Sequence, residues 1–186
     1  TLRESGVDNP ILVLGYVCKA EYESVIRNNI IFAMLTKDMA KDISECAVRI
    51  GITAKCHIKI NTGMNRIGFP VNEEAIDDIA ELTGYEGLDC EGIFMHFATA
   101  DSADKSYAKH QFELFTSVID EVEKKLGKKF KIRHCANTGA VARYPETWLD
   151  MVRPGLLLYG YGDFAQELGL KPVMSLKTTV STIKTY

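Results

Sequence analysis

Polar residues stand at the ends of four successive apolar segments of this chain. These residues are Lys59, His96, Asn137 and Arg153. In parallel α/β folds, functional residues collect at the carboxyl ends of the strands. One such histidine or lysine is more often a structural or surface residue. Burying four such polar side chains together would cost free energy unless they paired with one another and with a polar ligand. The series therefore predicts a shared site.

Two turns near the end of this series have the composition of a phosphate-binding loop. They are Asn137-Thr138-Gly139 and Pro154-Gly155-Leu156, which offer small residues, a hydroxyl group and backbone N–H groups. (β/α)8 barrels often bind phosphate after their last two strands, at the N-terminus of a short helix. A single glycine-containing turn is weak support, whereas two turns in these serial positions favour a phosphate site.

Strand-like and helix-like segments alternate along the chain. The apolar segments predicted as strands are 11–14, 30–35, 55–60, 92–97, 131–135 and 151–153. The amphipathic segments predicted as helices are 19–28, from Thr36 or Asp38 to Ile50, from Asn72 to Gly84, and 104–126. This alternation indicates βαβ units and a parallel sheet, in either a doubly wound fold or a (β/α)8 barrel. Residues 173–186 are rich in β-formers and predict the start of a different, all-β domain.

Composition excludes several classes of function. The 186 residues carry a net charge of −3 with no basic cluster, which disfavours a nucleic-acid-binding protein. No apolar run approaches the ~20 residues of a membrane span. The five cysteines include no CxxC pair, so we expect no zinc site and no metal. Reduced thiols in a cytoplasmic protein are the simplest interpretation.

Four segments resemble signature segments of bacterial alanine racemases and occur in that family's order. They are residues 57–68, 92–101, 134–138 and 151–160. The resemblance implies an α/β fold, a (β/α)8 TIM-type barrel that is incomplete here and holds about strands 3 to 8. The resemblance also implies two parts of the chain. Residues 1–165 would be a partial barrel domain that binds pyridoxal 5'-phosphate (PLP), and residues 166–186 would be a linker and the beginning of a C-terminal β domain.

The resemblance assigns the cofactor pocket to residues after the last two predicted strands. Arg153 matches the arginine that donates a hydrogen bond to the pyridine nitrogen, and His134 resembles the residue that orients it. Because arginine stays protonated, the ring nitrogen would stay neutral, which limits stray protonation of the cofactor. The remaining residues assigned to the cofactor are the phosphate contacts Thr138, Gly155 and Leu156, supported by Asn137.

Three further residues match groups that support the substrate. Arg66 matches the arginine near the substrate carboxylate and the phenolic oxygen of the cofactor. Lys59 matches a lysine that is carbamylated in many members, and as an anion it would hold Arg66 in place. An ordinary strand-end lysine remains the alternative for Lys59. His96 resembles a histidine packed beside the cofactor ring.

The resemblance implies PLP-dependent interconversion of L- and D-alanine, which supplies D-alanine for peptidoglycan, by a homodimeric full-length protein. It places no catalytic residue in this chain, because the Schiff-base lysine and the opposite-face tyrosine are expected outside it. We therefore expect the chain alone to be inactive. The alternatives are a serine racemase of the same fold and a non-catalytic PLP-carrier barrel. The carrier lacks a β domain, so the β-rich tail argues against it.

Overall fold

Five parallel strands form one sheet in the same order as in the sequence. The structure is a computed structural model that describes residues 1–162 and 164–185. The strands are β1 (Ile11–Leu12), β2 (Ile30–Met34), β3 (Ala54–Lys59), β4 (Leu88–Phe94) and β5 (Ile132–His134). A doubly wound sheet reverses its strand order at a switch point, whereas this order is that of a barrel wall. The α/β barrel prediction is therefore confirmed as a half-barrel, and the assignment to strands 3 to 8 stays a prediction.

Helices connect the strands and cover the sheet. They are α1 (Tyr22–Arg27), α2 (Lys37–Ile50), α3 (Glu73–Leu82), α4 (Ser106–Leu126) and α5 (Thr138–Arg143). Short 3-10 helices span Lys19–Glu21, Pro145–Thr147 and Gly155–Tyr159. Helix α5 was not among the predicted helices, and it has only six residues.

Local sequence signals set the ends of the longer helices. The Thr36 side chain accepts a hydrogen bond from the Met39 N–H at the start of α2, and Asn72 caps α3 in the same way. Gly51 follows α2 with a left-handed backbone, as a C-terminal glycine often does. Helix α3 ends at Leu82, two residues before the predicted stop at Gly84.

Both faces of the central strand β3 are buried. Successive side chains of a strand point to opposite faces, so Cys56 and Ile58 lie opposite His57 and Lys59. All four are buried, two of them as polar groups. A strand buried on both faces is typical of a parallel sheet covered by helices. His57 and Lys59 therefore share one face of β3, and Cys56 and Ile58 lie on the other.

The predicted sixth strand, 151–153, was wrong within the described residues, which have no strand there. Two backbone hydrogen bonds tie the segment to β5 and the residues after it, from Asp150 N–H to Arg133 O and from Arg153 N–H to Ala136 O. These bonds are three residues apart, whereas a parallel ladder repeats every two. Pro154 follows directly and has no N–H to continue the pairing.

The predicted β-rich tail also does not form strands in this structure. Residues 173–185 have no assigned strand, and Tyr186 lies outside the described residues. Leu176, Val180 and Ile183 are almost fully exposed. A strand gains stability only from a hydrogen-bonded neighbour and a packed face, so β propensity alone does not order this segment. The boundary between residues 1–165 and 166–186 stays a prediction. In the ranges described, no helix combines the length and apolarity needed to cross a membrane.

Candidate functional site

Three polar side chains from separate segments form a buried hydrogen-bonded chain beside the sheet. His57 lies on β3, His134 ends β5, and Arg153 follows in the irregular segment after it. His57 Nδ1 lies 2.8 Å from His134 Nε2, and the Arg153 guanidinium contacts His134 Nδ1. The predicted pairing of Arg153 with His134 is therefore present in the geometry, with His57 as a third member that the sequence analysis did not assign to the site.

The Arg153 side chain is held at several points, but one of its three nitrogen atoms has no partner among the described residues. Its Nη2 donates to the carbonyls of Met95 (2.7 Å) and Cys135 (3.2 Å). Within the described chain, Arg153 forms no salt bridge, and its buried Nε has no hydrogen-bond partner. Burial lowers the pKa of Arg153 to about 10, which leaves it protonated at neutral pH. An unpaired buried N–H costs free energy, so this atom marks a place for an acceptor.

Phe94 is the apolar member of this cluster. Its ring stacks on His134 with a centroid distance of 4.7 Å and an interplanar angle of 3°. The Arg153 guanidinium lies 5.5 Å from the same ring, and Lys59 Nζ lies 5.3 Å from it. Phe94 was not among the predicted site residues, although it is the last residue of β4 and lies two residues before His96.

The three histidines of the site are electrically neutral. Burial, followed by the nearby Arg153 charge, lowers the pKa of His57 and of His96 to about 4. The same two causes lower the pKa of His134 to about 2. Neutral imidazole has one donor and one acceptor nitrogen, so each ring here takes a definite direction in the hydrogen-bond network.

Lys59 is buried on the same face and donates from Nζ to the Ile60 carbonyl at 2.9 Å. Burial is the main cause that lowers its pKa to about 7, and the charges of Arg153 and Arg66 add to the shift. At neutral pH a large fraction of Lys59 is therefore the free amine. This is the form of lysine that reacts as a nucleophile.

Arg66 lies apart from the other predicted residues. It is exposed in the loop after β3 and, among the described residues, its side chain has no hydrogen bond or ion pair. Its charge still contributes to the lowered pKa of Lys59 and of His96. The structure thus places Arg66 outside the hydrogen-bonded cluster, where it acts on Lys59 and His96 through its charge.

A cavity of about 550 Å³ opens at this end of the sheet. Six of the predicted site residues line it: His96, Asn137, Thr138, Arg153, Gly155 and Leu156. Lys59, Arg66 and His134 are not part of its lining. Six of the nine predicted site residues therefore line the cavity, and the other three lie outside its lining.

Small residues shape the far wall of the cavity. The Thr138 hydroxyl donates to the Pro154 carbonyl, which joins the two predicted turns. Gly155 has a φ of +45°, and a Cβ there would lie 3.2 Å from Thr138 Oγ1. Gly155 also opens a 3-10 helix, whose first N–H groups have no partner within the helix. The wall therefore presents a hydroxyl and backbone N–H groups without a covering side chain.

Gln111, from α4, joins the loops that follow β3 and β4. Its Oε1 accepts from the Ala98 N–H at 2.9 Å, and its Nε2 lies 3.3 Å from Thr62 Oγ1. Gln111 is fully buried. The sequence analysis missed it, although a glutamine among the apolar positions of an amphipathic helix is a signal for a buried polar contact.

The fold and the site define a parallel α/β barrel domain with a polar cavity at the carboxyl ends of its strands. Residues 1–163 match the profile of the family described as alanine racemase, N-terminal domain. The chain belongs to this family.

Curated relatives that match almost the whole of this chain are named alanine racemase. The alanine racemase of Clostridium tetani (strain Massachusetts / E88) is 45% identical over 98% of this chain, and the match covers 48% of that protein. For the alanine racemase of Desulforamulus reducens the identity is 41%, over 98% of this chain and 50% of that protein. The chain thus spans about half the length of the curated relatives it matches.

Solved structures of alanine racemases superpose on the half-barrel. The enzyme from Clostridium difficile 630 has a TM-score of 0.84 at 40% identity, covering 87% of this chain and 42% of that one. The Bacillus anthracis enzyme with bound L-Ala-P has a TM-score of 0.79 at 29% identity, with the same coverage.

Proposed function

We propose that the full-length protein containing this chain is an alanine racemase that uses pyridoxal 5'-phosphate to interconvert L- and D-alanine. The observation that carries the proposal is a cavity of about 550 Å³ lined by Arg153, whose buried Nε has no hydrogen-bond partner among the described residues, and by Thr138 and Gly155. A guanidinium and small residues with a hydroxyl and backbone N–H groups, gathered in one cavity, suit a ligand that carries both an acceptor nitrogen and a phosphate. The family match supplies the chemical context.

The residues of this chain would hold the cofactor by its two ends. Arg153 Nε would donate to the pyridine nitrogen, and Thr138, Gly155 and Leu156 would contact the phosphate, with Asn137 capping α5 beside them. When bound, pyridoxal phosphate delocalises the electrons released as the substrate α-proton leaves. The lysine and tyrosine bases that the resemblance expects are not assigned to any residue of this chain.

Arg153 would keep the ring nitrogen unprotonated. Even with its lowered pKa of about 10, the guanidinium retains its protons at neutral pH, so it donates a hydrogen bond without transferring a proton. Its anchoring on the Met95 and Cys135 carbonyls fixes the direction of that donor. His96, which lines the same cavity as a neutral ring, would pack beside the cofactor.

We further propose that Lys59 is carbamylated. The free amine attacks carbon dioxide: the C–N bond forms as one C=O π bond breaks onto oxygen, and one proton passes from the nitrogen to solvent. A neutral amine thereby becomes a carbamate anion. The pKa of about 7 supports the first step because it leaves free amine available. The new carboxylate would attract Arg66 towards the substrate carboxylate.

The proposal also includes a cytoplasmic location and a homodimeric full-length protein. Cys18, Cys46, Cys56, Cys90 and Cys135 are free thiols, which suits the reducing cytoplasm. Leu156, Leu158 and Tyr159 are exposed. An apolar surface of this kind supports burial against another part of the full-length protein or a second copy, as in a homodimer.

Racemase activity tests the proposal directly. The full-length protein with pyridoxal phosphate is incubated with L-alanine and, separately, with L-serine, and the D-isomers are quantified. We expect D-alanine to form faster than D-serine. A preference for serine would move the function to a serine racemase, and activity on neither would contradict the proposal. Arg153→Lys removes the Nε donor and should weaken cofactor binding, which the absorbance of bound cofactor measures.

A further inference from the structure

The chain of Arg153, His134 and His57, here called the histidine relay, ends in an atom that the cofactor does not explain. His57 Nε2 is buried and, within the described ranges, has no hydrogen-bond partner. His57 itself is only 2% exposed. An imidazole N–H without an acceptor in the interior costs about 1–3 kcal/mol of stability. We therefore expect a nearby group to accept a hydrogen bond from it.

The direction of the relay follows from Arg153. A guanidinium only donates, so His134 Nδ1, which contacts Arg153, must be an acceptor. His134 is neutral, hence its proton lies on Nε2 and is donated to His57 Nδ1 at 2.8 Å. His57 is then left with its own proton on Nε2. Each nitrogen in the relay therefore has a definite state, and the open end is a donor.

Glu91 is the group nearest this open end that accepts hydrogen bonds as an anion. Its Oε1 lies 3.9 Å from His57 Nε2, beyond hydrogen-bond length but within reach of a side-chain rotation. The Glu91 side chain is only 14% exposed. His57 and Glu91 both line a cavity of about 280 Å³, together with the charged residues Asp8 and Lys55.

An irregularity in the sheet places Glu91 here. Cys56 pairs with Cys90, but the next residue, His57, pairs with Gly92, so Glu91 is the extra residue of a β-bulge. Bulges redirect a side chain and occur often beside functional sites. Gly92 leaves the space that the His57 ring occupies, since a Cβ there would lie 2.5 Å from the ring. The bulge and the glycine thus bring a carboxylate to the end of the relay.

We propose that Glu91 is a positioning residue for Arg153, acting through His57 and His134 as the acceptor that terminates the relay. The proposal rests on the proposed function only in that Arg153 binds the cofactor. A donor-only group at one end and a carboxylate at the other favour the same direction of every hydrogen bond between them. Reversal of His134 would set donor against donor at Arg153, and reversal of His57 alone would set donor against donor at His134. Glu91 therefore helps to keep the guanidinium in the orientation that its bonds to the Met95 and Cys135 carbonyls define, beside the cavity.

Histidine tautomers report this arrangement without reference to catalysis. The full-length protein is labelled with ¹⁵N-histidine, of which this chain has four, and its imidazole nitrogens are observed by NMR with and without pyridoxal phosphate. We expect protonated Nε2 and unprotonated Nδ1 in both His57 and His134. Finding the proton of either ring on Nδ1 would overturn the proposal.

Variants at Glu91 separate its role from general folding. Glu91→Gln keeps an acceptor without the charge, so both tautomers should persist while the His57 Nε2 proton resonance moves upfield. Glu91→Leu removes the acceptor altogether and should move the same resonance further upfield, while Arg153 still holds both rings in the Nε2-protonated form. Asp89→Asn, on the same strand and near Lys131, is the matched control and should leave both rings unchanged. An unchanged Nε2 resonance in Glu91→Gln would overturn the proposal even if Glu91→Leu failed to fold.

Cofactor release provides the functional readout. Glu91→Leu should release pyridoxal phosphate roughly threefold to tenfold faster, since part of one buried hydrogen bond is lost, and Glu91→Gln should stay closer to wild type. Equal release from wild type and Glu91→Leu would refute a positioning role. A protein without racemase activity but with the expected tautomers would contradict the proposed function and leave the relay standing.

Discussion

Gly92→Ala tests whether the His57 ring depends on the missing side chain at position 92. The two residues are paired on neighbouring strands. An alanine Cβ would lie 2.5 Å from His57 Cγ and 2.6 Å from Cδ2 and Nδ1, where ordinary contacts begin at 3.4 Å. The ring must therefore retreat by roughly 0.9 Å, which is enough to stretch the 2.8 Å bond to His134 beyond hydrogen-bond length.

The expected cost combines two effects. Overpacking of a filled interior costs about 1–3 kcal/mol, and the loss of one buried hydrogen bond adds about 0.5–1.5 kcal/mol. We expect the free energy of unfolding to fall by roughly 2–4 kcal/mol. Because the strand backbone at Gly92 does not need a positive φ, alanine imposes no backbone strain that would confuse the measurement.

Urea unfolding of the cofactor-free full-length protein, at one protein concentration, measures this change. The matched control is Gly15→Ala, because a Cβ at Gly15 meets no atom within 4 Å. The control should remain within about 0.5 kcal/mol of wild type. If Gly92→Ala behaved like the control, the contact between position 92 and the His57 ring would be refuted.

Three further predictions concern Lys59 and Gln111. The pKa of Lys59 is lowered to about 7 in the folded protein, so the unfolded chain binds more protons between pH 7 and 10.5, and stability should rise with pH there by up to about 1.4 kcal/mol per unit. Urea unfolding at several pH values in buffers freed of carbon dioxide, where Lys59 stays an unmodified amine, should show this slope in Lys55→Met and not in Lys59→Met. A ¹³C-bicarbonate NMR experiment should give a carbamate signal that Lys59→Met abolishes, and a signal that persists would assign the carbamate elsewhere. Gln111→Leu leaves the Ala98 N–H without an acceptor and should lower the unfolding free energy by about 1–3 kcal/mol, whereas an unchanged value would contradict the bridging role of Gln111.

The sequence predicted the features that depend on local patterns. Thr36 and Asn72 were recognisable as helix caps because the residue types and the following apolar positions are diagnostic. The strands β2 to β4 were recognisable from apolar runs between helices. The cavity residues Thr138 and Arg153 were recognisable because they follow such runs at the carboxyl ends, where a parallel sheet collects them.

Features that depend on partners far along the chain were not predictable in this way. The segment 151–153 has strand-like residues, but among the described residues only two backbone hydrogen bonds, from Asp150 and Arg153, tie this part of the chain to β5 and the residues after it. The apolar residues of 173–185 have no pairing that would turn propensity into a strand. The roles of His57 and Glu91 depend on a bulge that shifts the register by one residue. No periodic pattern in one strand reveals a bulge, because it is a property of two paired strands.

The anchoring of Arg153 on the Met95 and Cys135 carbonyls has an evolutionary consequence. These carbonyls belong to residues that directly follow β4 and β5, so one guanidinium connects two strand ends beside the cavity that Arg153 lines. A single substitution at Arg153 thus disturbs both strand ends at once, and under the proposed function it would also weaken cofactor binding. Replacement of Arg153 would also leave His134 without its donor, so the two positions are expected to be epistatic. Divergence of this pocket would then proceed through paired changes, which selection accepts far less often than single ones.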